Sequence, residues 1–195
     1  MTIKRMSMAS LLCAGLLSTT ACGDDDMDEA EGAATVEQTP PQGAALVQAW
    51  LAKGDYKSWH CETAPHQFRP PSPHGFNRIC SNDLISKNVS GTSAWPKGAA
   101  AVKELYASAT ATTPVGYAVY LKTADDSAGG ANWYWYESVP LDSAAPHDDK
   151  GVVADGLGSA GPAKAICVGC HVAAGTDAAH TPSVGGRDQV YTPVL

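Results

Sequence analysis

The sequence predicts an α+β domain, and three observations lead to it. Ala44, Val47, Trp50 and Leu51 recur at helical spacing, so residues 43–54 read as an amphipathic helix. Residues 117–123 (YAVYLKT) and 133–139 (WYWYESV) are dense in aromatic and β-branched side chains and bounded by Gly, Asp and Ser, the composition of strands. The polar loop at 124–131 lies between these runs and is placed to pair them.

The domain does not begin at the first residue. Lys4 and Arg5 precede an apolar run around Leu11, Leu12, Leu16 and Leu17, which Thr19, Thr20, Ala21 and Cys22 close with small residues. That order is a secretory signal, too short for a membrane span, and it assigns residues 1–21 to a leader. Its last four residues resemble a bacterial lipoprotein cleavage site, although Thr19 stands where that pattern prefers Leu. Acylation of Cys22 would anchor the exported protein to a membrane, in the periplasm or outer cell envelope, without a transmembrane helix. Plain cleavage near Ala21 is the alternative. No later stretch is long and apolar enough to span a bilayer.

Residues 22–42 are acidic, poor in aromatics and end in Pro40, Pro41 and Gln42, so they cannot bury enough surface to fold and form a solvated tether. Most of the net charge of −7 sits there; from Gln42 onward 13 acidic residues face 11 basic ones. The nearly neutral remainder argues against a nucleic-acid partner. Residues 43–195 suffice for one domain with one core.

Along that domain, residues 62–75 are rich in Pro and His and read as an ordered loop. Gly75 to Cys80 reads as a short strand, and Asn82 to Val89 as a short helix or turn. Residues 98–108 (GAAAVKELYAS) are ambiguous. Their propensity is helical, yet Trp95 and Pro96 before them and the alternation at Val102, Glu104 and Tyr106 permit a strand. The cysteines divide by position. Cys13 lies in the leader, Cys22 is the candidate lipid site, and Cys167 and Cys170 form a close pair. That leaves Cys61 and Cys80, which by elimination form a disulfide in an oxidising compartment, with two buried free thiols as the alternative.

CVGCH at 167–171 is a C-x-x-C-H sequence, the signature of c-type haem attachment. Two thiols one helical turn apart add to the haem vinyl groups, and the adjacent imidazole of His171 becomes the axial iron ligand. Half a zinc site would need a second close ligand pair, which Cys61 and Cys80 do not make, and a thiol redox pair would need a βαβ setting that is missing. The opposite face of the iron is often closed by methionine. Here Met1, Met6, Met8 and Met27 all lie in the leader or tether. What remains is a second histidine from His60, His66, His74, His147 and His180, or an open position, which is the favoured expectation. An open position means ligand binding or chemistry on the iron.

Five stretches in order, WPKGAAAVKELY (95–106), YAVYLK (117–122), NWYWYESVP (132–140), CVGCH (167–171) and VYTPVL (190–195), resemble the cytochrome P-460 family, which includes the β-sheet cytochromes c′. The resemblance covers residues 73–195. It implies a mainly antiparallel β-sheet flanked by helices, a homodimer, and a strand at 98–108. It also implies that Lys103, in the VKEL stretch, is covalently joined to the haem edge, as in members that oxidise hydroxylamine with nitric oxide as intermediate or substrate. In such members a carboxylate after the haem motif takes protons from the substrate; Asp177 is the residue available here, in a loop of different length, with a plain turn role as its alternative. A soluble cytochrome would accept the electrons. Other members bind nitric oxide or carbon monoxide without turnover, and a bis-histidine electron carrier is a third possibility.

Three side-chain expectations complete the reading. Lys122 is expected on a solvated outer face. One pair from Trp133, Tyr134, Trp135 and Tyr136 is expected in the core and the other toward solvent or a dimer partner. Phe76 is a candidate cap for the pocket opposite His171.

Overall fold

The structure, a computed structural model, describes residues 39–70, 72–175 and 186–191. The leader, Cys22, Asp177 and His180 lie outside the described residues, as do all but the last few residues of the tether.

The helix expected at 43–54 is α1 (Ala44–Lys53). Ten residues are too few to hold a helix in water by propensity alone. Its stability comes from burying Val47, Trp50 and Leu51, each worth roughly 1.5–3 kcal/mol when fully removed from water. Its first turn is tied down by the Asp155 carboxylate, which accepts from the Ala44 amide at 2.8 Å. Gly54 ends it in the left-handed region (φ 78°), where glycine carries no Cβ penalty.

The strands that follow are β1 (His60–Cys61), β2 (His66–Gln67), β3 (Phe76–Ser81), β4 (Ala100–Tyr106), β5 (Gly116–Lys122), β6 (Trp133–Ser138) and β7 (Val152–Leu157), with a short helix α2 (Asp83–Ser86) between β3 and β4. They form one antiparallel sheet in the order β1-β3-β4-β5-β6-β7, with β2 also paired to β3. The fold is therefore α+β and mainly antiparallel. Residues 98–108 contain the strand β4 rather than a helix, since residues 100–106 pair on both sides and bury both faces. Strand β2 interrupts the stretch 62–75 expected as an ordered loop, and β1 and β7 were not expected.

Both faces of the sheet are covered. Alternation sends Cys80, Val102, Val119, Tyr134 and Tyr136 to one face, under Trp50, Tyr56 and Trp59. It sends Ala101, Tyr120, Trp133, Trp135 and Ala154 to the other, where Trp95, Ala163 and Cys167 pack. This corrects the aromatic expectation. The tyrosine pair and the tryptophan pair of β6 are both buried, at most 3 % exposed, because each face has its own cover.

Lys122 is likewise not on an outer face. It is fully buried and pairs with Asp188 at 2.6 Å. Its face of the strand is covered by the chain near 188, so alternation within β5 alone misplaces it.

Cys61 and Cys80 are joined in a disulfide across directly paired positions of β1 and β3. It closes a loop with a sequence separation of 19, which removes about 3 kcal/mol of unfolded-state chain entropy. Urea unfolding of the Cys61→Ala/Cys80→Ala variant is therefore expected to show a loss of about 3 kcal/mol. An unchanged midpoint would mean that the bridge does not constrain the unfolded chain.

Candidate functional site

After β7 the chain turns through Gly158–Gly161 and enters a helix at Pro162. A proline suits a helix start because its missing N–H would be unpaired there. The first turns, Ala163–Val168, are π-helical, and α3 (Gly169–His171) continues them. The wide turn is visible in the Gly169 amide, which donates to the Lys164 carbonyl five residues back. Such turns occur often at functional sites. The segment packs close to the sheet because Gly158 has no side chain; a methyl there would collide with the Gly130 carbonyl and the Val168 side chain.

Cys167, Cys170 and His171 thereby face a cavity of about 480 Å³, within the usual range for small-molecule and cofactor sites. The opposite wall belongs to the sheet. Lys103 of β4, Ala118 of β5 and Glu137 of β6 are cross-strand neighbours along one row, and Tyr120 and Trp135 form part of the next. All five line the cavity, as does His74 from the loop before β3. Phe76 does not line it.

The two thiols are free, Cys167 buried and Cys170 half-buried. Burial pushes the Cys167 thiol up to about 12. A redox-active thiol needs a lowered value, so this environment does not favour a thiol redox pair.

The His171 imidazole is pushed down to about 3, chiefly by burial, so it is neutral over the physiological range. Its Nδ1 lies 2.6 Å from the Gln189 carbonyl oxygen. A carbonyl can only accept, so Nδ1 carries the proton and the Nε2 lone pair is left for a ligand bond. Trp135, Tyr191 and Tyr120 surround the ring, with centroids at 4.6, 5.4 and 6.1 Å.

Lys103 is half-buried, and its residual exposure opens into the cavity. Burial lowers its ammonium to about 8; Glu137 and Glu62 pull the other way without reversing the shift. Glu137 is paired with His74, Oε1 to Nδ1 at 3.3 Å, both side chains largely buried. Two donors on the same wall, the Tyr120 hydroxyl and the Trp135 indole N–H, are buried with no hydrogen-bond partner among the described residues. Buried donors left open beside a cavity of this size indicate a place for a bound group with acceptors of its own.

The structure thus brings together Lys103, Cys167, Cys170 and His171, and of the other described histidines it places only His74 on the cavity wall. His60 is exposed. His66 binds Glu62 at 2.9 Å, and His147 bonds the Asp148 carbonyl at 2.6 Å. Sequence reasoning missed Glu137, Tyr120, Trp135 and Gln189. The first three carried a signal, because they share the strand face of Lys103; the Gln189 contribution is a backbone carbonyl, which no residue type announces. Set against family models and against curated proteins, the chain matches none.

Proposed function

We propose that the cavity holds one haem c, joined by thioethers to Cys167 and Cys170 and ligated by His171 Nε2. In this reading the protein is an exported mono-haem cytochrome resembling cytochrome P-460, which binds small nitrogen oxides and oxidises hydroxylamine or nitric oxide. The observation that carries the reading is convergence. Lys103, from a strand far earlier in the chain, lines the same cavity as the C-x-x-C-H segment.

Bound haem would supply a redox couple and an iron able to take a small ligand. The residues supply the rest. The Gln189 carbonyl keeps His171 in the Nδ1–H form, so Nε2, the nitrogen that would bind the iron, is the unprotonated one. Lys103 offers a largely desolvated amine whose neutral form is within reach near pH 8, the form that would attack a haem edge carbon. The C–N bond would replace that carbon's C–H bond and one N–H bond, with two protons released and two electrons passed to an added peroxide. The Glu137–His74 pair gives the cavity a carboxylate and an imidazole in contact, suited to take protons from a bound substrate. Asp177 remains a candidate for the same task. The apolar walls around Leu105, Ala118 and Val153 limit water near that pair.

Visible spectroscopy and intact mass of protein matured with a haem-ligation system test this. The expected product carries one haem and a strongly red-shifted Soret band, and Lys103→Ala loses both the shift and hydroxylamine turnover. A ligand-insensitive, low-spin six-coordinate spectrum would instead mean a second axial histidine, for which His74 is the candidate on the described cavity wall, and make the protein an electron carrier. Colourless protein with unmodified Cys167 and Cys170 would remove the haem reading.

A further inference from the structure

We propose that Asp188 and Lys122 are positioning residues for the axial histidine: their buried ion pair holds the turn Arg187–Val190 in the shape that aims the Gln189 carbonyl at His171. This rests on the haem reading above, and goes beyond it by naming what sets the imidazole.

The turn is an unlikely one for its sequence. Arg187 and Val190 exchange backbone hydrogen bonds in both directions, at 2.9 Å each. The two residues between them, Asp188 and Gln189, both lie in the left-handed region at φ 46° and 70°. A two-residue turn with two positive φ values calls for Asn-Gly or a similar pair; a glutamine gains nothing there. Local preference therefore does not select this shape, and a strained backbone persists only where its surroundings impose it.

The surroundings are identifiable. The Asp188 side chain is fully buried. Its Oδ2 accepts from Lys122 Nζ at 2.6 Å and from the Trp95 amide at 3.0 Å. Its Oδ1 accepts from the Ser127 hydroxyl, which in turn accepts from the Trp133 indole at 3.1 Å. On the preceding residue, the Arg187 guanidinium lies 3.6 Å over the Trp95 ring and donates to the carbonyls of Asn88, Val89 and Gly91. The Gln189 amide donates to the Gly175 carbonyl at 2.7 Å. The carbonyl of Gln189 is thus fixed from both sides at 2.6 Å from His171 Nδ1. A carbonyl held there strengthens the imidazole as a donor to iron and fixes its ring plane. Relaxing either φ would rotate that carbonyl away.

The test uses haem-loaded protein, with the iron–histidine stretching band of the ferrous form and the midpoint potential as readouts. Lys122→Met with Asp188→Asn keeps volume and neutralises the pair together, leaving no orphaned charge. Lys122→Met with Asp188→Ala removes the anchor altogether. The stretching band is expected to move to lower frequency and the potential to rise in the first variant, and further in the second. A role in stability alone would lower the unfolding midpoint and leave both readouts unchanged. If the second variant does not mature, the first decides. A haem-loaded variant with the wild-type band and potential overturns the positioning role while the haem reading stands. Wild-type protein without haem on Cys167 and Cys170 overturns the haem reading itself.

Discussion

Replacing Glu104 with alanine is expected to destabilise the fold by about 3–5 kcal/mol, the range for removing one partner of a buried ion pair. Glu104 has no exposed surface. It accepts from Arg78 Nε at 2.6 Å, the Tyr106 hydroxyl at 2.6 Å and the Tyr56 hydroxyl at 2.7 Å. Alanine leaves all three donors without this acceptor. Arg78 is 25 % exposed and retains access to water, which places the expectation toward the lower end. Glu104→Gln, which keeps the shape but loses the charge, should fall between. Burial acts to raise the Glu104 carboxyl, but its three hydrogen bonds outweigh that and hold it below its ordinary value of 4.5. A carboxylate lowered in the folded state contributes stability that is complete above its unfolded value and disappears as the pH falls through the folded one. The gap between wild type and Glu104→Gln should therefore be full at pH 7 and close progressively below about pH 4.5. Urea unfolding across that range measures it; a gap that widens on acidification would contradict the assignment.

Glu104 and Lys103 are adjacent in sequence yet belong to opposite faces of the same strand, and that difference separates what was legible from what was not. The strands at 117–122 and 133–138 were readable because aromatic and β-branched residues alternate between polar turns. The run at 100–106 was not readable from its own composition. Its alanines favour a helix in isolation, and only pairing with β3 and β5 makes it a strand. Lys122 shows the same limit at a single side chain. Nothing within β5 distinguishes a lysine facing water from one facing Asp188, whose carboxylate is brought in from 66 residues away. Period-two alternation says which residues share a face. It does not say whether that face is covered.

The candidate site divides in the same way. The C-x-x-C-H spacing is local, so Cys167, Cys170 and His171 were legible at once. Lys103 was reached only through a resemblance, and Glu137 not at all, although Ala118 alone separates the two across the sheet. Side chains that meet across strands leave no mark in either segment taken alone. The acceptor for His171 is still less visible, being a main-chain oxygen in a turn whose sequence argues against its shape.

Lys103 is expected to present far more neutral amine at pH 7 than an ordinary surface lysine. Burial lowers its ammonium from 10.5 to about 8, which raises the neutral fraction at pH 7 roughly 300-fold. The direction follows from solvation. The cavity wall penalises the charged amine, while the nearby carboxylates of Glu137 and Glu62 stabilise it only in part. With Cys167→Ser and Cys170→Ser, so that no haem is attached, acylation of Lys103 should rise with pH and level off near 8, where an ordinary lysine continues to gain up to about 10.5. Peptide mass mapping after brief acylation at each pH gives the profile, and a Lys103 yield still climbing above pH 9 would reject the burial argument. In haem-loaded wild-type protein the proposed bond to the haem edge would remove the same lysine from the acylated set. Recovery of acylated Lys103 from the haem-loaded form would remove that bond while leaving the lowered ammonium intact, so the two halves of the argument fail separately.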